Sequence, residues 1–261
     1  LHSKEHMNMS EPLILVTNDD GVHAPGLHHL IRTLSTMGQI IAVAPDGPRS
    51  GQASAITVET PLRINRCTAY DHAEIYAVNG TPVDCVKLAM HAIVPKRPDI
   101  IVSGINHGSN SGNSVIYSGT MGAVMESCML NIPAIGFSLL HHSIAADFSH
   151  TTPWVKLITA KVLEHKLPKQ ICLNVNIPAK CEPLGLKVCE ASPGYWTEEY
   201  KDYTDPSGRT FYMLTGKFHD EDPDNPAYDN YWLDRKYVSV VPVRPDQTCA
   251  QAIPEIIDLL Q

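Results

Sequence analysis

The sequence predicts an α/β protein with a Rossmann-like, three-layer α/β/α core, in which helices cover both faces of a mostly parallel sheet. Short apolar segments of strand length alternate with segments whose apolar residues recur at helical spacing. The strand segments are apolar on both faces, which is typical of buried parallel strands. Polar, turn-forming segments follow several strands, at the sheet edge where open α/β sheets bind ligands.

The elements follow one another regularly over the first two-thirds of the chain. Strands are predicted at 13–17, 40–44, 75–78, 100–102, 134–139 and 171–177, and helices at 25–37, 83–93, 120–130 and 153–165. Pro25 and Pro153 suit the first turn of a helix, and Gly38 suits the end of one. A strand at 237–243 and a helix at 250–260 are predicted near the C-terminus.

We divide the chain into two parts. Residues 7–182 form the expected catalytic core, and residues 183–261 form a C-terminal extension with an arm or hairpin and a terminal helix; residues 1–6 are set aside as a candidate cloning remnant. Segment 191–235 is rich in Tyr, Trp, Asp, Pro and Asn. Aromatic residues in an exposed arm often contact another chain, and a long loop packed on its own core is an equally good interpretation.

Composition narrows the class of protein. The formal net charge of −8 argues against a nucleic-acid polymer surface. No apolar run is long enough to cross a membrane, and the N-terminus lacks the pattern of a signal peptide. The seven cysteines are scattered and form no CxxC motif, so neither a zinc knuckle nor a thioredoxin-like site is expected. We therefore expect a cytoplasmic protein with reduced thiols and no membrane contact.

Two adjacent carboxylates, Asp19 and Asp20, stand where the first strand ends. Ionised side chains so close together repel each other, and a divalent cation would convert that repulsion into shared attraction. Hard ions such as Mg²⁺ and Mn²⁺ prefer carboxylate oxygens. The alternative is that one of these residues caps the following helix.

Two later loops carry further polar groups. Segment 44–54 contains Arg49 and Ser50, and segment 103–122 is rich in Gly, Ser and Asn. At its end, 118–120 reads Ser-Gly-Thr before a helix, which suits anion binding by the N–H groups of the helix N-terminus. Simple helix capping is the alternative. The chain has no P-loop motif and no GxGxxG after its first strand.

Five ordered segments carry a family resemblance: TNDDG (17–21), APDGPRSGQASAIT (44–57), VNGTPVDCV (78–86), SGINHGSNSG (103–112) and YSGTMGA (117–123). Together they resemble the survival-protein SurE family, a family of metal-dependent nucleoside monophosphate phosphatases acting at the 5′ or 3′ position. The resemblance covers residues 13–140 and continues weakly through 236–248. Segment 191–235 has no matching motif, and Val241 stands where the family often has Thr.

The resemblance implies a set of functional residues. The metal ligands would be Asp19, Asp20, Ser50 and Asn106; the catalytic residues Asp19 and Asp20; and the phosphate- or substrate-binding residues Asn18, Asn110, Ser118, Gly119 and Thr120. It also implies one divalent ion per subunit, Mg²⁺ or Mn²⁺, and a nucleotide substrate. In the family, C-terminal extensions exchange between subunits, so we expect a homodimer or homotetramer.

The mechanism is a hypothesis at this point. A metal-activated water would attack phosphorus, with Asp19 or Asp20 accepting a proton; a covalent aspartyl-phosphate is less favoured. A haloacid-dehalogenase-type phosphatase would need D-x-D rather than adjacent acids. A broad-specificity acid phosphatase or exopolyphosphatase, or a non-enzymatic nucleotide-binding module, remain as alternatives. Among the histidines, His107 is the one worth testing, because it follows Asn106.

Overall fold

The structure is a computed structural model that describes residues 11–67, 73–143 and 145–261. Its strands are β1 (Leu13–Thr17), β2 (Gln39–Pro45), β3 (Ile64–Arg66), β4 (Ala73–Val78), β5 (Ile100–His107), β6 (Ala134–Leu139), β7 (Cys172–Ile177), β8 (Leu186–Val188), β9 (Gly194–Thr197), β10 (Tyr200–Thr204), β11 (Thr210–Leu214), β12 (Lys217–Asp220) and β13 (Val238–Val243). Its α-helices are α1 (Pro25–Leu34), α2 (Pro82–Leu88), α3 (Gly119–Met129), α4 (Thr152–His165), α5 (Asp229–Asp234) and α6 (Ile253–Leu260).

The central feature is a nine-stranded sheet with the order β3-β4-β2-β1-β5-β6-β7-β13-β8. Strands β4, β2, β1, β5, β6 and β7 run parallel, whereas β3 and β13 pair antiparallel with β4 and β7. The chain leaves β1 for β2 and β4 on one side and later returns to β5 on the other. The carboxyl ends of β1 and β5 therefore flank a topological switch point, where open α/β sheets bind ligands.

Helices cover both faces of the sheet. Leu27 and Leu30 of α1 pack with Ile14 and Val16 of β1 in one apolar cluster, which α4 completes. Leu13 and Leu15 face the opposite cluster, formed with α2 and α3. This alternation along β1 follows from the period of two in a strand. The three-layer α/β/α core with a mostly parallel sheet is confirmed.

Several element boundaries differ from the sequence-based expectations. Strand β5 extends to His107, five residues beyond the expected end, because it continues to pair with β6 after a register shift between Ser103 and Asn106. Pairing with a neighbouring strand here outweighs the low strand propensity of Gly and Asn. The helix expected at 83–93 is divided into α2 and a π-helix at Ala89–Ile93. The predicted terminal helix begins with a 3-10 turn, Ala250–Ala252.

The extension proposed from the sequence, residues 183–261, divides between the sheet and the surface. Its strands β8 and β13 lie in the main sheet. Strands β10 and β11 form an antiparallel hairpin, and β12 pairs with β9. Segment 191–235, for which long arms or loops were expected, therefore contains four strands and a short helix. Over the described ranges, no helix has the length and apolar character needed to cross a membrane.

Candidate active site

Asp19 is held against the start of α3. Its Oδ1 accepts a hydrogen bond from the Thr120 hydroxyl at 2.5 Å. Asp19 and Thr120 are both buried, with 4% and 0% of their surfaces exposed. A Cβ on Gly119 would lie only 2.8 Å from the Cβ of Asp19, so the lack of a side chain at Gly119 is what lets the two segments meet. Asp19 and Thr120 are 101 positions apart in the sequence, and the fold brings them together.

Asp20 is held from the other side by the end of β5. Its Oδ2 accepts hydrogen bonds from His107, from the ring Nδ1 at 3.0 Å and from the backbone N–H at 3.3 Å. Both hydrogen bonds that the described residues give Asp20 thus reach one oxygen. The adjacent acids are therefore fixed by two different elements of the fold.

Burial makes the Asp19 carboxylate costly to ionise. Desolvation raises the pKa of Asp19 to about 6, the hydrogen bond from Thr120 opposes this change, and the charge of Asp20 adds to it. A cation bound between the two acids would favour the ionised form. A positively charged ligand would therefore stabilise the ionised form of the pair.

The turn after β1 brings the loop after β2 to this edge. The Asn18 side chain closes the turn by bonding both backbone groups of Gly21. Gly21 has φ +98°, and a Cβ there would lie 3.0 Å from the backbone of Gly47. The Arg49 N–H donates to the Asp19 carbonyl at 2.7 Å. Ser50 follows Arg49, so this hydrogen bond brings its loop to Asp19, and the Ser50 side chain is exposed there.

Two asparagines of the Gly/Ser/Asn-rich segment occupy different environments. Asn106, at the end of β5, donates from its amide nitrogen to the Gly108 carbonyl at 3.0 Å, which turns its amide oxygen away from that bond. Asn110 is buried, and its amide nitrogen donates to Ser138 at 2.8 Å. Its position is thus fixed by the neighbouring strand β6.

Of the two roles considered for segment 118–120, the structure shows helix capping. Ser118 caps α3 by accepting a hydrogen bond from the Met121 N–H at 3.1 Å. Gly119 and Thr120 meanwhile contact Asp19. The capped N-terminus, with its positive dipole end, therefore lies against Asp19. An anion held by this helix start would lie beside a cation held by the acids.

The donor set fits a hard divalent ion. The groups gathered here are carboxylate, amide and hydroxyl oxygens, the ligands that Mg²⁺ and Mn²⁺ prefer. In the described part of the chain, no group of three or more His, Cys, Asp or Glu side chains is placed to hold a metal ion. Any ion at Asp19 and Asp20 would therefore need neutral oxygens to complete its coordination.

Sequence reasoning missed the residues that support this edge from β7. The Asn176 side chain accepts a hydrogen bond from the Asn110 N–H at 2.8 Å, and the Asn174 side chain donates to the Asn110 carbonyl at 2.8 Å. Both are fully buried. Two asparagines alternating within a buried apolar strand are a signal that the sequence did carry, because a buried polar side chain needs a partner.

The C-terminal extension also reaches the site loop. The Asp229 carboxylate accepts hydrogen bonds from the Gly112 N–H and from Ser192, each at 2.9 Å. Burial raises the pKa of Asp229, and these donors oppose the change. Ser111 donates to Asn230 at 2.7 Å. Segment 191–235 had no readable motif, so this anchor could not be found from the sequence.

The comparisons with known proteins agree on one family. A family model described as "Survival protein SurE" matches residues 14–198. The chain is 46% identical to "5'-nucleotidase SurE" of Phocaeicola vulgatus over 96% of this chain and 97% of that relative. It is 48% identical to the protein of the same name from Christiangramia forsetii, over 96% and 97%. The crystal structure of the SurE protein from Aquifex aeolicus superposes with a TM-score of 0.82 at 34% identity, covering 96% of this chain and 100% of that one.

Proposed function

The chain belongs to the SurE family, and from this membership we propose that it is a 5′-nucleotidase, hydrolysing nucleoside monophosphates to nucleoside and inorganic phosphate. The relatives that support this are matched over nearly their whole length. The finer parts of the proposal concern the metal, the site residues, the 3′ position and the assembly. They rest on the geometry of the switch point.

One observation carries the site assignment. Asp19 and Asp20 lie at the switch point of the sheet, and each carboxylate is held by a residue from another segment, Thr120 and His107 respectively. Fixing two like charges side by side is unfavourable unless a cation is bound. We assign to them one divalent ion, Mg²⁺ or Mn²⁺, with Ser50 and Asn106 as the neutral ligands.

The residues around the acids suit phosphoryl transfer. A divalent ion held by Asp19 and Asp20 would polarise a phosphoryl oxygen and lower the pKa of the attacking water. Asp19 or Asp20 accepts the proton of the attacking water. In this proposal the N–H groups of Gly119 and Thr120 would face charge on the phosphoryl oxygens, a role that a helix N-terminus fulfils without a lysine, and Ser118 caps that helix. Asn18 and Asn110 complete the phosphate side of the site in this proposal, Asn18 by shaping the turn after β1.

The assembly proposed is a homodimer or homotetramer formed through the extension. The β10–β11 hairpin exposes Tyr200, Phe211, Tyr212 and Leu214, and α6 exposes Ile256, Leu259 and Leu260. Exposed apolar side chains in such numbers favour burial against another surface. Residues 7–182 are the catalytic core in this proposal, and the cytoplasm is the proposed compartment.

The test is a phosphate-release assay on purified protein. Nucleoside 5′- and 3′-monophosphates, p-nitrophenyl phosphate and short polyphosphate are each assayed with EDTA, Mg²⁺ or Mn²⁺. We expect turnover of 5′-monophosphates that EDTA abolishes and a divalent ion restores. Metal-dependent binding of nucleotides without phosphate release would instead identify a binding module. Faster release from polyphosphate than from any nucleotide would identify an exopolyphosphatase.

A further inference from the structure

We propose that His107 is a positioning residue that holds Oδ2 of Asp20 and turns Oδ1 toward the metal ion, and that it neither binds the ion nor transfers a proton. This inference rests on the proposed metal site. His107 lies at the end of β5, next to the proposed ligand Asn106. Its ring and its backbone N–H converge on the same carboxylate oxygen.

The hydrogen bonding fixes the direction of donation. An ionised carboxylate only accepts hydrogen bonds, so the Nδ1 of His107 is the donor in its 3.0 Å contact with Asp20. The backbone N–H of the same residue approaches Oδ2 at 3.3 Å. Two donors on one residue hold one oxygen and leave the other oxygen of the carboxylate to a different partner. This is the arrangement of a residue that orients a metal ligand.

The second ring nitrogen of His107 is enclosed. Nε2 is buried and has no hydrogen-bond partner among the described residues. Only 9% of the side chain is exposed. A general acid must reach the substrate directly or through one water, and a ligand must reach the ion. With Nδ1 engaged by Asp20 and Nε2 enclosed, neither nitrogen is available for those roles.

The imidazole ring of His107 also packs against an aromatic side chain. Phe148 meets His107 edge-on, with ring centroids 5.1 Å apart, and it stacks on His29 at 5.9 Å. His29 in turn contacts the Thr152 hydroxyl at the start of α4 at 3.0 Å. Contacts of this kind restrict the orientation of the imidazole ring. A fixed ring is what positioning requires, because a mobile one would not constrain Asp20.

The experiment measures Mn²⁺ binding to the EDTA-stripped full-length protein by isothermal titration calorimetry. In His107→Asn the amide nitrogen takes the place of Nδ1, whereas in His107→Gln it lies one bond farther along. His107→Leu removes the side-chain donor and keeps an apolar contact for Phe148. We expect Kd for Mn²⁺ to rise about tenfold in the Gln and Leu variants and to stay within about threefold in the Asn variant.

His29→Leu is the matched control, because it removes the hydrogen bond to Thr152 but keeps an apolar contact for Phe148 and leaves the His107–Asp20 pair intact. We expect it to lower the melting temperature while leaving Kd for Mn²⁺ within about twofold. In His107→Asn, whose amide keeps a donor to Asp20, the pH profile of kcat should keep its shape.

The outcomes separate this inference from the proposed function. Native protein that binds no Mn²⁺ overturns the metal site and this inference together. Native binding that the Gln and Leu variants leave unchanged overturns the inference alone, as does an Asn variant as weak as the Leu variant. Loss of one limb of the pH profile in His107→Asn would identify His107 as a proton donor or acceptor and also overturn it. If the Leu variant does not fold, the Asn and Gln pair still decides.

Discussion

The carboxyl edge of the sheet and the β10–β11 hairpin place side chains in opposite environments: the edge buries a carboxylate, and the hairpin exposes large apolar groups. At the edge, charged Asp19 is buried to 4% exposure and fixed by side chains from distant segments. On the hairpin, apolar Tyr200 and Leu214 are 66% and 71% exposed. Burying a carboxylate and exposing large apolar groups both carry a free-energy cost in an isolated chain.

Each cost favours binding of a partner of a different kind. The acidic pair would be relieved by a cation, and the hairpin by an apolar surface such as that of a second copy of the chain. The core edge should therefore control turnover, and the hairpin should control assembly. Substitutions made in matched pairs, one in each region, test this distinction.

The largest effect is expected at the acids. Asp19→Asn removes the charge that the ion needs, so turnover of a nucleoside 5′-monophosphate should fall by about a hundredfold or more. Asp202→Asn, which makes the same change on the exposed strand β10, should leave turnover within about twofold. Phosphate release and circular dichroism measure activity and fold. Near-native turnover in a folded Asp19→Asn protein would refute the ligand assignment.

The next largest difference between the two regions should be in how much a substitution lowers the free energy of unfolding. Leu27 of α1 is fully buried in the core, so Leu27→Ala should lower the free energy of unfolding by about 2–5 kcal/mol. Met213 on the hairpin is 52% exposed, so Met213→Ala should cost less than about 0.5 kcal/mol in the isolated chain. Urea unfolding at low protein concentration measures both. A large loss in Met213→Ala would mean that the hairpin packs against its own chain.

Close packing at the start of α3 predicts a smaller, local effect. A Cβ at Gly119 would collide with Asp19, so Gly119→Ala should displace the carboxylate and lower turnover about tenfold. Gly47, in the neighbouring loop, has open space where a Cβ would be added. Gly47→Ala should therefore keep near-native turnover. Equal activities in the two variants would show that the position of Asp19 does not limit turnover.

The smallest effect on the single chain is expected from a charged hairpin. Phe211→Lys and Leu214→Lys place charge on side chains that are 45% and 71% exposed, and they should dissociate the proposed oligomer with little change in unfolding of the protomer. Multi-angle light scattering after size-exclusion chromatography gives the molar mass. An unchanged oligomer mass in the double variant would remove the hairpin from the proposed interface.

Much of the fold was predictable because the signals are local. Short apolar runs locate β1 and β6, and the helical pattern locates α3, within a residue or two. The end of β5 was not predictable, because Asn106 and His107 become strand by pairing with β6 across a register shift. Tertiary pairing of this kind overrides local propensity.

The candidate site likewise has features that the sequence predicts and features that only the fold determines. The adjacent acids and the helix start at 118–120 are visible in the sequence as residue types in order. The bonds that orient them, from Thr120 to Asp19 and from His107 to Asp20, join segments about a hundred residues apart. Likewise, the support of Asn110 by Asn174 and Asn176 depends on strand order in the sheet. Such contacts follow from topology, which short patterns do not specify.

The most direct test of the switch-point site is a crystal of the native chain soaked in Mn²⁺, with anomalous difference density recorded at the manganese edge. We predict the strongest peak between the carboxylates of Asp19 and Asp20, within coordination distance of Ser50 and Asn106. A strongest peak elsewhere on the chain, or no peak at a Mn²⁺ concentration that supports turnover, would contradict the account.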